Sequence, residues 1–238
     1  MNIYSIGCSF TFGDELKNAQ QSAWPNVLAK KLNGSITNDA VSGGSNQRIL
    51  YRTIKSIKEN YDLYLIAWTT YTRFTFYKSD NNHEINFNPQ LRNDIFSKET
   101  YLKNWGETLY QVWYNELYAF KLWLQQIICL QSVLQNKPYL MMNTFSNNLN
   151  VWLSDKKNFI TNTKSLINFH NMTDEQIFEE YEEIQYYLNC IDLSKFYQWH
   201  NFSIDSLKKQ FPYGPNGHIL EQGHQHLAVL LYNHLCSK

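Results

Sequence analysis

A chain of 238 residues is long enough to bury a full core as one α/β domain. Its 43% hydrophobic and 18% charged content excludes a disordered chain, and 21 basic residues balancing 21 acidic ones leave no field to attract nucleic acid or anionic lipid. Cys8, Cys129, Cys190 and Cys236 form no CxxC pair, which argues against a zinc ribbon or disulfide scaffold and fits reduced thiols in a cytosol. The first ten residues carry no basic flank or long apolar core, and no stretch is apolar enough to span a membrane, so a cytoplasmic location without a membrane span is expected. The 17 Tyr, 14 Phe and 7 Trp suit a Tyr-rich core, the favoured reading, or a site that stacks on sugars or acyl chains.

In chain order, Asn2 to Ile6 reads as a short strand, Gly7 to Gly13 as a turn of small residues, and the polar stretch after Asp14 as helical. A second strand is expected at Ser35 to Ala40, then the turn Ser42-Gly43-Gly44-Ser45-Asn46 and a helix from Gln47 to Asn60 with Ile49, Ile54 and Ile57 inward. Asp62 to Trp68 is a continuous apolar run, the signature of a strand buried on both faces of a parallel sheet. The Asn- and Thr-rich stretch of about 70–105 reads as a loop insertion on the rim of a site. Gly106 to Asn136 predicts one long or kinked helix, Tyr139 to Asn143 a fourth strand, and Thr173 opens an acidic helix ending near Asn189. A last helix over Gln222 to Cys236 turns Leu227, Val229, Leu230 and Leu235 inward. Alternating strands and helices predict a mostly parallel sheet covered on both faces, with its site beyond the carboxyl ends of the strands.

The turn after the first strand, Gly7-Cys8-Ser9-Phe10-Thr11-Phe12-Gly13, places Ser9 at a strand end, where it is either a nucleophile or only a turn residue. A serine hydroxyl needs a base. His218, in the loop Gly214-Pro215-Asn216-Gly217-His218 before the last helix, is the better candidate, since His224 and His226 fall on or near that helix and read as packing or surface residues. His83, His170 and His200 have no metal-ligand spacing, and no glycine-rich nucleotide motif follows a strand, so no cofactor is implied. Arg73 could bind a substrate carboxylate or phosphate, or could simply be solvated.

GxSxTxG at the first strand, SGGSN after the second and HxxxxGH near the C-terminus together resemble the SGNH or GDSL hydrolases. The resemblance implies a flavodoxin-like three-layer α/β fold and a serine esterase or acyl hydrolase. It assigns Ser9 as nucleophile, His218 as base, and the amides of Ser9 and Gly43, or Gly44 as an alternative, to an oxyanion hole. The third block departs from the family's GxND and reads Trp68-Thr69-Thr70-Tyr71, leaving Thr70 to offer a hydroxyl for the missing Asn. Pro215 stands where the family carries the aspartate that orients the histidine, which implies a Ser-His dyad, with a backbone carbonyl or another carboxylate such as Asp205 holding the imidazole. The implied substrate is a small acyl ester or an O-acetylated sugar. An O-acyltransferase, or a binding or assembly protein that keeps the fold without the chemistry, stays open beside it.

Overall fold

The computed structural model describes residues 1–77, 84–89, 99–164 and 172–237. Strands β1 (Asn2–Ile6), β2 (Ser35–Asn38), β3 (Leu63–Trp68) and β6 (Tyr139–Asn143) form a parallel sheet in the order β2-β1-β3-β6. A parallel bridge between Met141 and Phe196 continues the sheet by one contact beyond β6. Side chains alternate across the pleat, so one strand serves two cores. Tyr4, Ile6, Tyr64, Ile66, Trp68 and Met141 pack with the helices Asn46–Ser56, Glu116–Val133 and Asp174–Cys190. Ile3, Leu63, Leu65, Leu140 and Met142 face the opposite way, onto Trp24–Lys31 and Glu221–Cys236. The expected three-layer α/β arrangement is therefore present, and all six residues of β3 are buried, as a strand covered on both faces demands.

The aromatic residues go largely into these layers. Trp24, Trp68, Trp123, Trp152, Tyr4 and Tyr64 are almost fully buried, and Phe120 stacks on Trp152 at 4.9 Å. Helix starts follow local chemistry. Ser45, Asn115 and Thr173 each accept a backbone N–H of the first turn, and Thr173 with Gln176 completes a capping box.

Four details differ from expectation. Ile54 is 41% exposed, because the inward stripe of its helix runs Ile49, Thr53, Ser56, whose hydroxyls are satisfied by the carbonyls of Ile49 and Thr53. Val229 is likewise outward, and His224, Leu227, Ala228 and Leu231 form the buried face of the last helix. The single helix expected from Gly106 is two, Thr100–Thr108 with a wide turn at Leu109–Trp113, and Glu116–Val133, broken where Tyr114 turns extended and Asn115 caps the second. The stretch expected as loops carries an antiparallel hairpin, β4 (Phe74–Tyr77) and β5 (Glu84–Phe87), whose Phe76 and Phe87 pack on Trp105. Residues 78–83 and 90–98 of that stretch lie outside the described residues, as do His83 and His170. No helix among the described residues is long and apolar enough to cross a membrane, and all four cysteines are free.

Candidate active site

The strand order reverses direction between β1 and β3, and in an open parallel sheet this switch point opens a crevice at the carboxyl ends of the two strands. Ser9 lies there, three residues past β1. Cys8 starts a one-turn helix, Ser9–Phe12, which ends at Gly13 in the left-handed conformation, φ 96°. Gly7 is needed because a Cβ there would fall 2.3 Å from the Thr11 hydroxyl. Ser9 is 4% exposed, and among the described residues its N–H has no hydrogen-bond partner.

The second loop is tied to this turn. Asn38 Nδ2 donates to the Thr11 carbonyl at 2.9 Å, and Ser42 Oγ donates to the Asp14 carboxylate at 2.5 Å. Gly43 adopts φ 73°, and among the described residues its N–H donates to nothing. The Gly44 N–H is already spent on the Val41 carbonyl at 3.2 Å, which separates two glycines that the sequence alone left equivalent. Gly44 itself packs so closely that a Cβ would lie 3.1 Å from the Gly7 carbonyl.

His218 arrives on a tight hairpin closed by a Tyr213–Ile219 bridge, with Gly217 left-handed at φ 83°. The hairpin encloses the carboxylate of Glu15. Glu15 accepts the Asn216 N–H at 2.9 Å, the His218 N–H at 3.1 Å and, through Oε2, lies 2.8 Å from His218 Nδ1. Gly214 leaves room for it, since a Cβ there would fall 2.5 Å from the carboxylate. Burial alone would raise the Glu15 carboxyl, but the two backbone N–H groups and the His218 ring together hold it below its ordinary range. An ionised Glu15 fixes the proton on Nδ1 and leaves Nε2 as the acceptor. The Phe10 ring packs against the imidazole, centroids 4.9 Å apart, so the residue next to Ser9 buttresses His218. Among the described residues no hydrogen bond joins Ser9 Oγ to His218; such bonds commonly tighten only when substrate is bound.

Glu15 lies against the imidazole, a position for which the sequence offered a backbone carbonyl or another carboxylate such as Asp205. The Asp205 carboxylate is paired with Lys208 at 2.5 Å instead. Glu15 is itself left-handed at φ 66°, a strained conformation for a non-glycine residue that aims its side chain back into the last loop. The available signal was the acidic pair Asp14-Glu15 directly after the Ser9 turn, together with a His218 loop that has no carboxylate of its own. Thr70 stands beyond β3, its Oγ1 accepting from the Thr72 N–H at 3.4 Å and lying 3.0 Å from Thr72 Oγ1. Nearby, Asn46 holds the Thr69 backbone at both its N–H and its carbonyl. His224 is fully buried, accepts the Trp24 N–H at Nδ1 (3.0 Å), and burial drives its pKa down to about 4, which makes it a packing residue and not a base.

The chain is thus an α/β protein with a parallel sheet covered on both faces and a largely buried carboxylate–imidazole pair packed on Phe10, the neighbour of Ser9. The chain belongs to the family of unknown function DUF6071, whose model matches residues 13–158. No curated protein matches it. Among solved structures it is similar to the psychrotrophic esterase EstA from Pseudoalteromonas sp., 10% identical over 99% of this chain and 97% of that one, TM-score 0.49. It is also similar to a member of the lipolytic protein G-D-S-L family from Veillonella parvula, 14% identical over 98% and 97%, TM-score 0.44. A third is a carbohydrate esterase family 2 enzyme of Corynascus thermopiles, 12% identical over 99% of this chain and 65% of that one, TM-score 0.45.

Proposed function

We propose that the protein is a serine esterase acting on a small acyl ester or O-acetylated carbohydrate, with Ser9 as nucleophile, His218 as general base and Glu15 as the residue that positions the base. The observation that carries this reading is the Glu15–His218 pair, 2.8 Å apart, each side chain about nine-tenths or slightly less buried at 13% and 14% exposure, against the Phe10 ring.

In this reading Ser9 Oγ attacks the ester carbonyl carbon while His218 Nε2 takes its proton. Glu15 holds the Nδ1–H and stabilises the imidazolium. Negative charge forming on the carbonyl oxygen is met by the Ser9 and Gly43 N–H groups, both without a partner among the described residues, and by Thr70 when its hydroxyl turns away from Thr72. The imidazolium then protonates the leaving alkoxide, and the neutral imidazole activates water to release the acid and restore Ser9.

The test is intact-mass spectrometry after incubation with a fluorophosphonate. A single adduct on wild type, absent from Ser9→Ala and strongly slowed in His218→Ala, is expected. A folded wild type that stays unmodified overturns the hydrolytic reading and leaves a ligand-binding protein on the same fold. An acceptor sugar added to the ester assay separates hydrolysis from acyl transfer by its products.

A further inference from the structure

Arg73 lies where the chain leaves the carboxyl end of β3 for the hairpin. A guanidinium withdrawn from water is costly unless acceptors face it. Among the described residues Arg73 has no ion pair, and its Nη1 is shut off from solvent with no hydrogen-bond partner. On one side it borders a cleft of about 10 Å³ beside Gln47 and Gln126, room for about one water. On the other it opens on a cavity of about 310 Å³ lined by Thr70, Thr72, Phe145, Ser146 and Asn147, which is within the range of small-ligand sites. Only the second can admit a ligand, and only through Nε and Nη2, because Nη1 has no surface that a ligand atom could reach.

That cavity adjoins the proposed centre. The Arg73 guanidinium sits 5.3 Å from the centroid of Phe145, Phe145 meets Phe10 edge-on at 5.5 Å, and Phe10 meets His218 at 4.9 Å. Asn147, on the cavity wall, is held by its Nδ2, which donates to the Thr69 carbonyl at 3.2 Å. Asn147 and Asn148 are both left-handed, at φ 52° and 50°, a strained pair of the kind that clusters at ligand sites.

We infer that this cavity is a substrate subsite in which Arg73 grips a carboxylate through Nε and Nη2. A carboxylate is favoured over a phosphate because Arg73 is the one charged residue lining the cavity among those described. A planar monoanion matches its two-pronged donor geometry without excess negative charge. The inference rests on the esterase reading for the reacting centre, though not for binding.

The experiment uses two matched pairs, 4-acetoxybenzoate against its methyl ester and mono-4-nitrophenyl succinate against its methyl ester, which put the carboxylate on the leaving-group or the acyl side. Binding is measured to Ser9→Ala protein. At least one carboxylate is expected to bind about tenfold or more tightly than its methyl ester. The preference should vanish in Ser9→Ala/Arg73→Gln and shrink in Ser9→Ala/Arg73→Lys, which keeps the charge without the fork. Equal binding within both pairs, or a preference that survives Arg73→Gln, overturns the inference; if that variant fails to fold, the paired comparison and the Lys variant decide. Carboxylate-selective binding without turnover by wild type sinks the esterase reading alone, and turnover without selectivity sinks the subsite alone.

Discussion

Glu15 and His218 stand 203 residues apart in the chain and 2.8 Å apart in space, and the carboxylate also accepts the backbone N–H groups of Asn216 and His218. Its roles in shaping the loop and in orienting the imidazole separate in Glu15→Gln, which keeps the shape and loses the charge. Ester hydrolysis is expected to fall in kcat by about a hundredfold or more with little change in KM. Because the Glu15 carboxyl is held below its ordinary range, its folded form stays ionised as pH falls through that range. Its contribution to stability is present above the unfolded carboxylate pKa and disappears only as pH drops through the depressed folded value. Urea midpoints of wild type and Glu15→Gln should therefore differ at neutral pH and converge in acid.

Gly214→Ala tests the same pair from the opposite side. A Cβ there would meet the Glu15 carboxylate at 2.5 Å, and the flexible end of Glu15 must swing away. Stability at neutral pH should fall at least as far as in Glu15→Gln, while the downfield proton NMR signal of His218 Nδ1–H is lost and kcat falls toward that of Glu15→Gln. A retained signal at full activity would contradict the tightness of the nest.

His224 makes stability pH-dependent. Its pKa falls from 6.5 to about 4 because burial disfavours the charged ring, so between these values the unfolded chain binds more protons than the folded one. Stability then decreases as pH is lowered from about 6.5 and levels off for this group below about 4, a loss on the order of 3 kcal/mol. Denaturant melts at pH 7, 6, 5 and 4 should show a smaller loss over this window in His224→Gln than in wild type.

Arg48 joins the second loop to the hairpin. It is 4% exposed and donates to Glu84 at 2.5 Å, to the Asp39 carbonyl at 2.7 Å and to the Asp39 carboxylate at 3.2 Å. Arg48→Met leaves Glu84 without this partner and should cost about 3 kcal/mol in urea unfolding. Arg52→Met removes a more exposed pair with the same Asp39 and should cost roughly 1 kcal/mol or less.

β3 and β6 were legible because parallel strands covered on both faces must be largely apolar, and β1 because its apolar residues stop at a turn of small ones. Asn2 to Ile6 and Tyr139 to Asn143 match their observed bounds, and Asp62 to Trp68 misses by one residue. Ser9 and His218 stood out as a serine at a strand end and a histidine in a glycine-rich loop, and folding packs the ring of Phe10, next to Ser9, on the His218 imidazole. Glu15 was not legible, since a left-handed backbone aims it away from its sequence neighbours into a loop from the other end of the chain. Ile54 and Val229 misled because the buried stripes of their helices are carried partly by Thr53 and Ser56, whose hydroxyls bond backbone carbonyls, by the small Ala228, and by His224, whose Nδ1 accepts the Trp24 N–H. The hairpin was hidden by its Asn and Thr content, although Phe74, Phe76, Ile85 and Phe87 alternate as a strand pair should.

The meeting of the first turn with the last loop also sets when the site can exist. During synthesis Ser9 leaves the ribosome about 200 residues ahead of Gly214 to His218. Until then the Glu15–His218 pair cannot form, and the sheet lacks the helix Glu221–Cys236 that covers one face. In the esterase reading a nascent chain is chemically silent, and the nucleophile is armed only by a contact between distant segments that forms once the whole domain has closed.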